Sequence, residues 1–204
     1  TVTTNVWAYY GLKALDTEKT FIFVAPDGNQ CGTWCKDDEK FIDDMYNLFR
    51  GDLCIDESRV FATGFSYGAI FSYSLACDRP NIFRAVAALA AASNIGCNAG
   101  TTPVAYFAEV GMSDTLCSPA LGRTCRDTFV TRNGCTKPAS VPEWKSSDGK
   151  THICYSYEGC KVGYPVRWCT GNYGHIAAPN DATTGDNGNT TWAKEESWKF
   201  FTQF

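Results

Sequence analysis

Residues 59–77 read RVFATGFSYGAIFSYSLAC, and Ser66 stands between Gly64 and Gly68 where a β-branched and aromatic run gives way to a helical one. A serine hydroxyl is a poor nucleophile until a positioned base takes its proton, and a G-x-S-x-G segment on a sharp strand-to-helix turn exposes that hydroxyl. The flanking residues are expected to be small because strand and helix crowd the turn. The pattern alone arises by chance, and a glycine-bounded βα turn with an N-capping serine would read the same. The strand before it and the helix after it give it weight.

That context repeats along the chain. "TFIFVAP" (20–26), "RVFATG" (59–64), "RAVAALAAA" (84–92), "TPVAYFAEVG" (102–111), "KTHICYSYEG" (150–159) and "YPVRWCTG" (164–171) read as strands. Between and after them, 37–53, 67–78, 118–134 with Gly134 closing its end, and 190–204 read as helices, the last with Trp192, Trp198 and Phe201 spaced for one buried face. The alanine-rich run is helical by propensity, yet its place between two helix-to-strand transitions makes it a strand. Alternating strands and helices imply right-handed crossovers and an α/β fold, a mostly parallel sheet covered on both faces. The 204 residues, 44% hydrophobic, are enough for one core, so a single domain over 1–204 is expected.

Charge and cysteine content narrow the function classes. The net charge is −4 and no Lys/Arg block forms a stripe, so neither nucleic acid nor an anionic membrane is an expected partner. Eleven cysteines spread along the chain point to an oxidising compartment and a secreted, disulfide-rich protein, most simply with five bridges and one cysteine left over. Cys31-x-x-x-Cys35 is the one close pair that suggests zinc, but with only His152 and His175 in the chain no metal is expected. Asn189-Thr190-Thr191 is a glycosylation sequon in a polar loop.

A serine elbow needs a base and a group to orient it. In the order serine, acid, histidine, each partner follows a later strand. Asp114 lies just past "YFAEVG"; as an alternative it makes an Asx turn ahead of the helix at 118, and Glu109 and Asp127 are weaker candidates for the acid. His175 sits in the glycine-rich "GNYGHIAAPN" after a strand, whereas His152 begins one, so position favours His175 as the base. An uncharged His175 would take the Ser66 proton while Asp114 holds its tautomer. The backbone N–H of Tyr67 supplies one oxyanion donor, and no loop ahead of Ser66 offers a clear second. Phe65, Tyr67 and Trp34 adjoin loops expected to face the site and are candidates for the wall of an apolar substrate slot.

"YYGLKALDTEKTFIFVAPDG" (9–28), "LCIDESRVFATGFSYGAIFSYSLAC" (53–77), "RAVAALAAASNIGC" (84–97), "PVAYFAEVGMSDTL" (103–116), "TFVTRNGC" (128–135) and "WKFFTQF" (198–204) resemble, in order and over nearly the whole chain, the fungal feruloyl esterases of carbohydrate esterase family 1. The resemblance implies an α/β-hydrolase fold, secretion, no cofactor, and hydrolysis of the ester joining ferulic or p-coumaric acid to arabinose on cell-wall xylan. Its triad maps onto Ser66, Asp114 and His175, and it suggests disulfides Cys77–Cys97 and Cys135–Cys160, each worth roughly 3 kcal/mol through chain entropy. Cys169, six residues before His175, is expected either to pin the histidine loop or to staple the surface.

Family members carry a further N-terminal segment before "YYGL", with the first strands and a histidine-led loop that donates to the oxyanion. That segment is absent from this sequence: either the missing part binds noncovalently or through the odd cysteine, or it has been trimmed away, or the molecule is crippled, and the expectation is that the complete enzyme has the missing strands. An acetylxylan esterase or polyhydroxybutyrate depolymerase would show the same elbow and triad, and a non-catalytic carbohydrate-binding relative would keep the fold with a disabled oxyanion site.

Overall fold

A computed structural model describes residues 9–28, 31–181 and 190–204. Its frame is a five-stranded sheet built from β1 (Phe61–Phe65), β2 (Ala85–Leu89), β3 (Ala105–Gly111), β4 (His152–Ser156) and β5 (Val166–Gly171), in the spatial order β1-β2-β3-β5-β4. β1, β2, β3 and β5 run parallel, while β4 returns antiparallel along β5. Among the described residues the α-helices that accompany them are α1 (Leu12–Leu15), α2 (Asp38–Asp52), α3 (Tyr67–Asp78), α4 (Pro119–Arg132) and α5 (Trp192–Phe201). No described helix is long and apolar enough to cross a membrane.

The period-2 pattern of the strands sorts the core into two layers. Val86, Ala88, Tyr106, Ala108, Val110, Val166 and Trp168 face one side, where they meet Ile42 of α2, Phe71, Tyr73 and Leu75 of α3, and Phe129 of α4. Ala85, Ala87, Leu89, Ala105 and Phe107 face the other, against Leu12 of α1 and Trp192, Phe200 and Phe201 of α5. Strands buried on both faces read as continuous apolar runs, which is why an alanine-rich segment serves as β2. Alanine also leaves room for α3, every residue of which from Ala69 to Cys77 is buried.

Several expectations need correction. Residues 20–26 form no strand. The Phe65 amide of β1 donates instead to the Tyr10 hydroxyl at 3.2 Å, and the segment is tied locally, with the Thr20 and Phe21 amides donating to the Asp16 carboxylate. It keeps a strand's alternation, since Phe21 and Phe23 pack inward on Phe61, Trp198 and Tyr9 while Ile22 and Val24 face solvent, but alternation without ladder partners is not a strand. The strand expected over 150–159 is confined to His152–Ser156. On α5, Trp192 and Phe201 are buried as expected and Trp198 is half-buried against Phe21, while Phe200 joins the buried face. Gly134 does follow the end of α4, in the left-handed region at φ 66°.

The cysteines form four bridges, not five: Cys31–Cys35, Cys77–Cys97, Cys135–Cys160 and Cys154–Cys169. Both pairs suggested by the resemblance are present. Cys31 and Cys35 are bonded to each other, which takes both thiolates from any metal, and Cys169 staples β5 to its register partner Cys154 on β4. Cys54 is exposed, whereas Cys117 and Cys125 are buried as free thiols. Cys125 lies on the core face of α4. The sequon at Asn189 lies outside the described residues.

Candidate active site

The carboxyl ends of β1, β3 and β5 converge on one point. At the end of β1, Ser66 turns the chain directly into α3, with φ 55° and ψ −120°. A non-glycine residue held there costs roughly 1–3 kcal/mol, so the surroundings must over-determine it. They do so through the Ser66 amide, which donates to the Leu89 carbonyl of β2 at 3.0 Å, and its carbonyl, which accepts from Ile70 of α3 at 2.9 Å. A Cβ on Gly64 would lie 2.3 Å from the Gly68 carbonyl carbon, so this glycine is demanded by the approach of α3. A Cβ on Gly68 would meet nothing within 4 Å; the steric requirement falls on one flank of the elbow only.

The acid and base loops are zipped to each other. Past the end of β3, the Met112 amide donates to Gly171 and the Ser113 amide to the Tyr173 carbonyl at 3.0 Å. A Cβ on Gly111 would come 2.1 Å from the Tyr173 oxygen, so only glycine permits this approach. Below the backbone contacts, the Tyr173 hydroxyl donates to Glu109, both side chains being buried. Burial first, then the Glu109 charge, push the Tyr173 phenol well above its ordinary value, so it stays protonated and donating.

These contacts bring Ser66, His175 and Asp114 into a row. His175 Nε2 lies 2.9 Å from Ser66 Oγ, and His175 Nδ1 lies 2.8 Å from Asp114 Oδ2. Asp114 is 3% exposed, and its other oxygen, Oδ1, accepts the Leu116 and Cys117 amides at 2.8 and 2.9 Å. The Asx turn and the partnership with histidine are therefore not alternatives, since one carboxylate does both. Tyr67 is the first residue of α3, where amides lack an intrahelical acceptor, and its backbone N–H follows Ser66 directly.

The other candidates lie as follows. His152 is paired with Asp181 at 2.8 Å and stacks on Trp192 with ring centroids 4.0 Å apart. Glu109 is bonded to Tyr173, and Asp127 pairs with Arg126 on α4. Phe65 packs against the His175 ring at 4.6 Å, so it backs the base. Tyr67 is 51% exposed beside the elbow. Trp34 stacks on Phe71 of α3 at 4.6 Å over Gly28. Sequence reading missed Tyr173, whose link to Glu109 is signalled only by an acid inside an apolar strand, and Leu116, 71% exposed on the acid loop.

No protein-family model matches the chain. Among solved structures, the acetyl xylan esterase from Aspergillus awamori superposes with a TM-score of 0.54 at 16% identity, over 79% of this chain and 66% of that one. The likeness, with the mostly parallel sheet and its flanking helices, defines the fold class as α/β-hydrolase. The chain is 41% identical over 203 residues to feruloyl esterase D of Neurospora crassa, covering 98% of this chain and 68% of that protein. It is 34% identical over 200 residues to feruloyl esterase C of Emericella nidulans, covering 97% and 70%. The chain is a carboxylic ester hydrolase and belongs to the feruloyl esterase family.

Proposed function

We propose that this chain hydrolyses feruloyl and related hydroxycinnamoyl esters, carried on arabinose of plant cell-wall arabinoxylan, through an acyl-enzyme on Ser66, and that it does so as a secreted enzyme. The observation that carries the reading is the row Ser66 Oγ, His175 Nε2, His175 Nδ1, Asp114 Oδ2, with separations of 2.9 and 2.8 Å. His175 Nε2 takes the Ser66 proton as Oγ attacks the ester carbonyl, and the resulting oxyanion accepts from the Tyr67 N–H. The tetrahedral adduct collapses, the sugar oxygen leaves with the proton from His175, and Ser66 keeps the acyl group. Water then repeats the sequence, its proton passing to His175 and on to Ser66 as the free acid departs. Asp114 holds Nδ1 protonated throughout, which leaves Nε2 free to act as base.

Tyr67 and Leu116 flank the nucleophile from the elbow and the acid loop, and serve as apolar walls for a planar acyl group. Comparing turnover of methyl ferulate with that of p-nitrophenyl acetate tests the acyl assignment. Hydrolysis of the acetate without the ferulate refutes it. Labelling of the protein, but not of Ser66→Ala, by a fluorophosphonate is the expected result for the nucleophile.

A further inference from the structure

A cleft of about 860 Å³ does not touch the triad. It opens at the opposite end of the sheet, where residues 57–59, 80–84, 102–103, 157 and 159–165 lead into β1, β2, β3 and β5, with Gln203 and Phe204 at its edge. Strands of this length, at about 3.3 Å per residue, put it roughly 15–20 Å from the carboxyl ends that hold Ser66, Asp114 and His175. A molecule in the cleft cannot take part in the ester chemistry.

Its charge is one-sided. The cationic walls are Arg59, Arg84 and Lys161, and the lone acid in the lining, Glu57, already accepts from the Tyr46 hydroxyl at 2.9 Å. Arg59 is matched by Asp56 at 2.6 Å, but neither Arg84 nor Lys161 has an ion-pair partner among the described residues. Arg84 lies against two rings, its guanidinium carbon 5.0 Å from the Tyr164 ring centroid and 4.0 Å from that of Phe204. Its Nη1 is buried without a hydrogen-bond partner. A buried, unmatched guanidinium N–H is costly, and this one is fixed in orientation.

Gly163 keeps the space beside it open, since a Cβ there would press to 3.0 Å from Arg84 Nη2. The N–H donors of a guanidinium point outward in its own plane, and that planar fork matches a carboxylate. Tyr157 and Tyr164 also line the cleft, and the fully exposed Val162 stands at the rim.

We propose that this cleft is a second binding site, which takes the carboxylate of a uronic acid residue within an oligosaccharide, with Arg84 as the anion receptor and Lys161 assisting at the rim. The choice of a saccharide rests on the polysaccharide esterase reading above, whereas the need for a carboxylate rests on Arg84 alone. Such a site would hold an acidic polymer to the back of the sheet while esters elsewhere on it reach Ser66.

Calorimetric titration of the Ser66→Ala protein tests this without interference from turnover. The probes are a xylo-oligosaccharide with one glucuronic acid branch, the same oligosaccharide unbranched, free ferulate, and inorganic phosphate. The branched probe is expected to bind at least about tenfold more tightly than the unbranched one, and Arg84→Gln to weaken it by about tenfold to 100-fold, the range of a charge-assisted hydrogen bond. Because Arg84→Gln also removes packing against Phe204, Lys161→Glu is the second variant; it leaves the stacked guanidinium in place and is expected to weaken the branched probe several-fold.

Equal binding of branched and unbranched probes overturns the proposal, as does branched-probe affinity indifferent to both substitutions. Binding of ferulate in preference to the acidic sugar reassigns the cleft to the reaction product and also overturns it. Binding of phosphate as tight as that of the branched probe reduces the cleft to a general anion site. Loss of the esterase reading would show as unchanged turnover in Ser66→Ala, a result separate from every one of these titrations.

Discussion

Two histidine–aspartate pairs stand at the end of the sheet where β3 and β5 finish and β4 begins, each closed at 2.8 Å, and they differ in everything around that distance. In His175–Asp114 the carboxylate side chain is 0% exposed and the histidine 17%; in His152–Asp181 the values are 58% and 23%. Asp114 is fixed by two backbone amides of its own loop, whereas Asp181 shares its hydrogen bonds between the His152 ring and the Thr151 hydroxyl. The free nitrogen of His175 meets a serine hydroxyl, while the His152 ring lies flat on Trp192. A histidine–aspartate contact is therefore not a catalytic signature by itself. What distinguishes the first pair is a buried, pre-organised acid on one side of the ring and a strained nucleophile on the other.

The sharpest way to break the comparison is to remove each member in turn. Ser66→Ala and His175→Ala are each expected to lower kcat on methyl ferulate by roughly 10⁵–10⁶, the scale at which a triad fails as a unit. His152→Ala is expected to leave kcat within about twofold and to cost at most about 1 kcal/mol, as for a solvent-exposed pair. Steady-state kinetics with a parallel melting curve decides the matter, and a large kcat loss in His152→Ala would erase the distinction.

The acids give the next largest contrast. Asp114→Asn keeps the shape of the carboxylate but no longer holds Nδ1 protonated, and is expected to cost roughly 10⁴ in kcat. Asp181→Asn is expected to be silent in kcat and visible only in stability, at pH values where the carboxyl is ionised. Burial works against the Asp181 charge, but hydrogen bonds from Thr151 and His152 prevail and hold the carboxyl below its usual value. A carboxyl depressed by folding contributes stability above its unfolded pKa and loses it as pH falls through the folded one. Unfolding midpoints of wild type and Asp181→Asn should therefore converge in strong acid and separate slightly near neutrality. Equal separation at every pH would contradict this assignment.

The three residues that stand in a row were legible as neighbours because each is marked by a local pattern, namely glycine, strand end and chain order. Ser66, Asp114 and His175 could be reached one by one without knowing how the strands pair. What stayed hidden depends on pairing. Residues 20–26 have a strand's alternation and composition, but Tyr10 takes the β1 amide that a ladder would need, and no local signal in 20–26 announces that. The antiparallel return of β4, the Cys154–Cys169 bridge that follows from its register, and the Tyr173–Glu109 bond are likewise properties of two segments at once. Parity of the cysteine count was also misleading, since the buried thiols Cys117 and Cys125 are apolar packing residues as much as bridge candidates.

Tyr173→Phe probes what holds the His175 loop in place. The substitution deletes one hydroxyl beneath the site and leaves Glu109 buried without that donor, a loss of about 1–3 kcal/mol in stability. If the hydroxyl also sets the height of His175, kcat is expected to fall between about tenfold and 100-fold with KM nearly unchanged, because small displacements of a base are felt in the transition state first. A stability loss with kcat intact would make Tyr173 a core residue with no part in positioning, and the difference between the two histidine pairs would then rest on Asp114 and Ser66 alone.

The smallest effect is read at a thiol beside the catalytic row. Burial first, then the Asp114 charge, push Cys117 up to about 11, against a weaker opposing pull from the Ser66 hydroxyl. Near pH 8 only about one Cys117 in a thousand would be thiolate, the form that alkylates. Iodoacetamide is therefore expected to modify exposed Cys54 rapidly and to spare Cys117, as peptide mass mapping would reveal. Asp114→Asn removes one of the two causes and should speed Cys117 labelling by a few-fold, while Asp181→Asn should leave it unchanged. Labelling of Cys117 at the Cys54 rate in the native protein would mean that the acid loop opens to solvent. The burial that separates Asp114 from Asp181 would then not hold in solution.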